Sequence, residues 1–249
     1  MSHIHIDITG LAFGYEKAAK IIDGLSVSFQ EHDAVGIIGA NGAGKSTFLK
    51  LLVGLELPSS GSIRIEEIPV EKGTLAKIRE RIGYVFQDSD TQLFMTTVRE
   101  DVAFAPTNYG LPADEVNRRV DRALELVHIP HLADKAIYTL SGGEKKLASI
   151  ATILSMTPDI MLLDEPSVAL DPRNRRNLIH ILNEFSHLKI IASHDLDFIW
   201  DTCSRVILMD HGQLVADGPA DQLLRNETLL TSHGLELPLS LQKRHGAHA

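Results

Sequence analysis

One short stretch constrains this chain more than any other: an apolar pentapeptide running directly into a glycine-rich turn and a Lys-Ser pair. Ala34-Val35-Gly36-Ile37-Ile38 reads as a strand buried on both faces. Gly39-Ala40-Asn41-Gly42-Ala43-Gly44-Lys45-Ser46 follows it and fits G-x-x-x-x-G-K-[ST], with a helix expected from about Lys45. The glycines let the backbone curl so that several N–H groups point inward. Lys45 adds a point charge, Ser46 a hydroxyl suited to Mg²⁺, and the helix N-terminus a partial positive charge. A glycine turn that only caps a helix would not require the Lys-Ser pair. The loop, with Asn41, Gly42 and Gly44, is therefore expected to cradle a nucleotide's phosphates.

The rest of the pattern supplies a matching frame. Ile4, Ile6 and Ile8 alternate with polar residues, and Val27 and Phe29 lie in a second such run. Ser62 to Ile65, Ile82 to Phe86, Ile160 to Leu163 and Lys189 to Ala192 read as further strands, and Val206 to Met209 with Gln213 to Val215 as a hairpin about His211-Gly212. From Val98 to Val127 the pattern is helical, with Val116, Val120, Ala123, Leu124 and Val127 sharing one face. Buried strands alternating with amphipathic helices predict a mostly parallel sheet covered on both sides. At 249 residues, 44% hydrophobic and 23% charged, the chain suits one large soluble domain. Its net charge of −9 argues against a nucleic-acid partner, which needs a basic face. A single cysteine, Cys203, excludes an internal disulfide and fits a reducing compartment; it reads as a buried apolar filler. The apolar runs are too short to cross a bilayer.

A phosphate loop of this kind needs an acidic partner at the end of a buried strand, and Ile160-Met161-Leu162-Leu163-Asp164-Glu165 supplies one. Asp164 is expected to hold Mg²⁺, through water, and Glu165 to position and polarise an attacking water. A carboxylate is a weak base at neutral pH, so orientation is its main expected contribution. Leu140-Ser141-Gly142-Gly143-Glu144 opens another helix. Ser141 is a good N-cap. Two glycines in a first turn weaken a helix, however, which makes sense where something approaches the backbone closely. Bare N–H groups there form a second anion site, suited to the γ-phosphate from the side opposite the loop.

With these residues in this order, the chain resembles the ATP-binding-cassette (ABC) ATPases along nearly its whole length. LSGGE is similar to their signature motif, SVALD (167–171) to their D-loop, and His194 in ASHD to their switch histidine. Gln87 in YVFQD resembles the Q-loop glutamine and Tyr15 the aromatic that stacks on adenine. Singly, Tyr15 reads as core packing, Gln87 as a surface amide and His194 as a buried histidine; their joint order carries the resemblance. It implies an α/β fold of the P-loop NTPase type, mostly parallel, with an N-terminal antiparallel β subdomain and an inserted helical subdomain. The domain would span 1–237, with a catalytic core of 1–96 and 141–218, a helical subdomain of about 97–140, and a loosely ordered tail over 238–249. The cofactors implied are ATP and Mg²⁺. Tyr15, Lys45, Ser46 and Thr47 would hold the nucleotide, with Ser46, Gln87 and Asp164 at the metal. Glu165, His194 and Gln87 form the catalytic set. Ser141, Gly142 and Gly143 of the partner subunit would close over the γ-phosphate, so a dimer, expected to be a homodimer, is needed to complete a site.

The stretch 88–94 (DSDTQLF), then TVREDVAFAPTNYGLP from Thr97, is similar to the ATPase subunits of energy-coupling-factor importers, and LSGGEKK to the cobalt- and nickel-importer branch. That resemblance implies a peripheral protein at the cytoplasmic face of the cell membrane, docked on a transmembrane coupling protein and a substrate-binding membrane subunit. A vitamin such as biotin is the alternative cargo, and a soluble ABC ATPase outside transport the alternative class. Leu93 and Phe94 read equally as core or as partner-facing residues. Glu144 stands where Gln is common, with Lys145 and Lys146 expected to offset its charge, and Val168-Ala169 stands where Ala-Gly is commoner. The histidines at the ends (His3, His5, His245, His248) and in the middle (His128, His131) define no closed coordination shell.

Overall fold

The computed structural model describes residues 4–15 and 20–242, and two sheets organise it. Strands β1 (His5–Phe13), β2 (Ile22–Gln30), β4 (Ser60–Ile65) and β5 (Ile68–Pro69) form an antiparallel sheet in the order β2-β1-β4-β5. The second sheet has the order β10-β9-β3-β8-β7-β6, from β3 (Ala34–Ile38), β6 (Ile82–Val85), β7 (Ile160–Asp164), β8 (Leu188–Ala192), β9 (Arg205–Asp210) and β10 (Gln213–Pro219). All its pairs are parallel except β9 with β10, which turn at His211-Gly212. The antiparallel subdomain and the mostly parallel sheet are thus both present.

Strand β7 shows why the parallel strands are apolar throughout. Ile160 and Leu162 face a core shared with the antiparallel sheet and α1 (Lys45–Leu52), where Phe29 and Phe48 meet. Met161 and Leu163 face the opposite core, built with the helices. Side chains two residues apart share a face, so a strand covered on both sides needs apolar residues at every position.

After the short α2 (Leu75–Arg79), the helical pattern of 98–127 is two helices, α3 (Val98–Asn108) and α4 (Ala113–Leu126). Gly110, at φ +74, and Pro112 break them apart while the apolar periodicity continues. Thr97 and Glu100 cap α3 reciprocally. Both helices pack on α5 (Gly142–Leu154). Then come α6 (Pro172–Glu184), α7 (Leu196–Thr202), α8 (Ala220–Leu223) and α9 (Glu227–Ser232). Ala220, Leu224 and Leu230 are buried in the helical core, so the packed structure continues past residue 218.

Residues 238–242, expected to begin a loose tail, form an anchored turn instead. Leu239 and Ser240 donate their backbone N–H groups to the Asp197 carboxylate at 2.9 and 3.0 Å. Residues 243–249, with His245 and His248, lie outside the described residues, as does His3. Cys203 is buried beneath β3, and burial pushes its thiol up to about 12. Among the described residues, no helix is long and apolar enough to cross a membrane.

Candidate nucleotide site

Four strands deliver their C-terminal ends to one edge of the parallel sheet: β3 leads into the glycine loop, β6 into Gln87, β7 into Asp164-Glu165 and β8 into Ser193-His194. In open parallel sheets this edge is where ligands bind. The glycines of the loop are needed for two distinct reasons. Gly44 sits at φ +101, and at Gly39 a Cβ would lie 2.2 Å from the Met209 carbonyl oxygen. Residues 41–47, with Ile21, Gln87 and Glu165, line a cavity of about 330 Å³. Lys45 donates to the carbonyls of Gly39 (2.7 Å) and Ala40 (3.2 Å). Burial pulls its ammonium below the ordinary lysine value, and the charges of Glu165 and Asp164 oppose that shift. Such a lysine gains from an anion placed beside it.

Ser46 donates its hydroxyl to Asp164 Oδ1 at 3.0 Å, and the buried Tyr84 hydroxyl approaches Oδ2 at 3.5 Å. Burial, reinforced by Glu165, pushes the Asp164 carboxyl above the usual range, while the Ser46 hydroxyl pulls it down. A carboxylate and a hydroxyl in contact, with Gln87 on the same cavity, are hard oxygen donors of the kind Mg²⁺ prefers. The residues present fit that ion.

Glu165 is buried and held from three directions. Ser193 donates its hydroxyl to Oε2 at 3.0 Å, the His194 backbone N–H to Oε1 at 3.1 Å, and His194 Nδ1 lies 2.8 Å from Oε2. The Glu165 backbone takes φ +47, uncommon for a side-chain-bearing residue, and its N–H donates to the Ala192 carbonyl at 2.9 Å. Strain of this kind is tolerated where the surroundings over-determine a geometry. The His194 side chain is 62% exposed, which removes the reading of an ordinary buried histidine.

The signature residues sit apart from this cavity. Ser141 and Gly142 are exposed at the start of α5. A Cβ on Gly143 would lie 2.8 Å from the Ala169 carbonyl oxygen, so this one of the two glycines is required by close packing against residues 167–171 of the same chain, whereas a Cβ on Gly142 would make only ordinary contact, at 3.7 Å. Ala169 itself holds φ +68, the left-handed region that the commoner glycine enters freely. Glu144 closes a capping box, accepting from the Ser141 N–H and hydroxyl, both at 2.8 Å. Those donors hold its carboxyl below the usual range.

The expected compensation by Lys145 and Lys146 is not what the structure contains. Lys145 reaches Asp90 at 2.6 Å, and among the described residues the lysine that pairs with Glu144 is Lys135, at 3.8 Å. Lys146, 2% exposed, donates to the carbonyls of Phe86 (2.9 Å) and Gln87 (2.8 Å). Its role, with those of Ser193, Tyr84 and Gln92, escaped the sequence reading because each depends on neighbours from another element. Gln92 accepts from the Phe86 N–H at 3.1 Å and donates to the Ser149 carbonyl at 2.8 Å. Tyr15 is exposed and outside the cavity lining, in T-shaped contact with Phe13 at 4.9 Å. Leu93 and Phe94 divide: Leu93 is buried, whereas Phe94 is 63% exposed beside Phe104, their ring centroids 4.7 Å apart.

Comparison with known proteins gives these features a context. The profile of the ABC transporter family matches residues 22–168. A protein of Geobacter sulfurreducens named as an ABC transporter ATP-binding protein is 47% identical over 242 residues, covering 97% of each chain. The energy-coupling factor transporter ATP-binding protein EcfA of Methanothermobacter thermautotrophicus is 42% identical over 238 residues, which are 94% of this chain and 76% of that one. Among solved structures, cbiO1 from Clostridium perfringens, described as part of the ABC transporter complex cbiONQ, is similar with a TM-score of 0.78 and 34% identity, covering 91% and 93% of the two chains.

Proposed function

We propose, for a chain that belongs to the ABC transporter family of ATPases, that it energises a membrane importer of cobalt or nickel ions. It is an ATP-binding, ATP-hydrolysing subunit of the energy-coupling-factor type. The observation that carries the mechanism is the gathering of Lys45, Ser46, Asp164, Glu165 and Gln87 at one sheet edge, while the signature residues open to solvent elsewhere. One chain then holds half of two composite sites, and two copies complete both.

In this reading the β- and γ-phosphates enter the cradle of residues 41–47, and Lys45 exchanges its loop carbonyls for phosphate oxygens. Ser46, Asp164 and Gln87 would hold Mg²⁺, which neutralises phosphate charge. Tyr15 covers the adenine. Ser141, Gly142 and Gly143 of the partner subunit donate to the γ-phosphate from the far side. Glu165 accepts a hydrogen bond from the attacking water, and His194 holds that carboxylate in place and meets the γ-phosphate. Hydrolysis leaves two mutually repelling anions, which favours opening of the dimer. The exposed Phe94 and Phe104 next to the Q-loop suit docking on a transmembrane coupling protein at the cytoplasmic face of the membrane. The cargo assignment is supported by the LSGGEKK signature and by the likeness to cbiO1. A substrate-binding membrane subunit would select the ion.

Co-purification from native membranes in mild detergent tests this. The expected result is a small set of polytopic membrane proteins, with ⁵⁷Co²⁺ or ⁶³Ni²⁺ uptake abolished by Glu165→Gln, which still binds ATP. Recovery of soluble proteins, ribosomes or DNA alone would overturn the transport role. Vitamin uptake in place of metal uptake would overturn the cargo.

A further inference from the structure

The end of the parallel sheet remote from the nucleotide carries a group of side chains that the ATPase mechanism does not use. Glu31 and His32 form the turn between β2 and β3, and His187 immediately precedes β8, the strand paired with β3. One ligand atom from each of the three lies within 4.8 Å of the other two, and among the described residues this is the one such group. We infer that Glu31, His32 and His187 form a binding site for a borderline divalent transition-metal ion such as Zn²⁺, Co²⁺ or Ni²⁺.

Three features favour this over a chance cluster. His187 Nδ1 is a buried ring nitrogen with no hydrogen-bond partner, and it lies 3.8 Å from Glu31 Oε1. A buried ring nitrogen without a partner, facing a carboxylate, is available to a cation placed between them. His32 Nδ1 is engaged by the Ser186 carbonyl, which fixes the tautomer and leaves Nε2 with a lone pair. Histidines that bind metals commonly have the second nitrogen held in this way. Finally, the two imidazoles lie almost parallel, 21° between planes and 6.4 Å between centroids, and Phe185 packs against the His187 ring at 5.7 Å. Ligand bonds of about 2.1 Å in tetrahedral geometry place donor atoms roughly 3.4 Å apart. The donor atoms, within 4.8 Å of one another, would draw roughly 1.4 Å closer on binding. Two nitrogens and one carboxylate oxygen select borderline ions over Mg²⁺ or Ca²⁺, and the remaining positions are left to water.

The site requires neither the importer reading nor nucleotide, and its test is made on the nucleotide-free full-length chain. Co²⁺ is titrated while its visible absorption is recorded, and Zn²⁺ is added as a competitor. We expect one saturable site per chain, displaced by Zn²⁺ and indifferent to millimolar Mg²⁺. His32→Ala and His187→Ala should each weaken it about tenfold or more, whereas His5→Ala and His128→Ala should not. Zn²⁺ should also raise the melting temperature of the wild type and fail to do so in the site variants. If an alanine variant does not fold, the near-isosteric Glu31→Gln and His187→Gln replace it. Absence of saturable binding, or binding that survives in folded variants of all three residues, would overturn the site.

Discussion

Asp164 is held in two opposing ways. Burial and the neighbouring Glu165 raise its carboxyl, and the Ser46 hydroxyl lowers it, with burial the larger effect. A folded-state value above the ordinary one means that the folded chain holds the proton more firmly than the unfolded chain. Stability therefore falls as pH climbs from the usual carboxylate range through the raised value, and the cost is complete above it. Asp164→Asn keeps the shape and removes the charge. At pH 7, without nucleotide, it should raise the melting temperature by about 2–4 °C, corresponding to about 1 kcal/mol for a chain of this size. It should also abolish the further rise given by MgATP. A lower melting temperature would mean that the Ser46 contact outweighs burial. The sequence exposed Lys45, Ser46, Asp164 and Glu165 because their chemistry is fixed by position relative to a strand end. It did not expose the grip of Ser193 and His194 on Glu165, which spans 28 and 29 residues and exists only once β7 and β8 lie side by side.

At the scale of elements, α5 couples the signature to the Q-loop. Its N-terminus is the capping box of Ser141 and Glu144, and one turn later Lys146 satisfies the carbonyls of Phe86 and Gln87. Gln92 ties the same loop to Ser149 and Thr152 further along the helix. Lys146→Met fills similar space and leaves two main-chain acceptors without their donor, a cost of about 1–3 kcal/mol. We expect a lower melting temperature, and a kcat for ATP hydrolysis that falls several-fold while KM stays within about twofold, as suits a loop mispositioned rather than lost. Thermal denaturation and steady-state kinetics check both; an unaltered kcat would deny the coupling. The long periodic face of α4 was legible. The division of α3 from α4 was not, because their apolar spacing runs on across Gly110 and Pro112. Helices α8 and α9 are too short to display a period at all.

For the whole molecule, the question is what meets the apolar corner at Phe94. The ring is presented rather than loose: Asp101, almost fully buried, accepts from the N–H groups of Phe94 and Met95, both at 3.0 Å. Phe94→Ser with Phe104→Ser should leave ATP hydrolysis by the isolated chain within about twofold and reduce recovery of membrane proteins several-fold. Undiminished recovery would move the docking surface elsewhere. Pattern alone left Leu93 and Phe94 undivided, since both are apolar and only the turn over 89–91 sends one inward and the other out. Cys203 has a different use. The chain's single thiol is enclosed by the core and held protonated at neutral pH, so maleimides should leave it untouched in the native protein. A cysteine introduced at exposed Val168 would then be the sole site for a spin label. The distance between two such labels in an assembled pair would report, without further protein engineering, how far the D-loops separate when phosphate leaves.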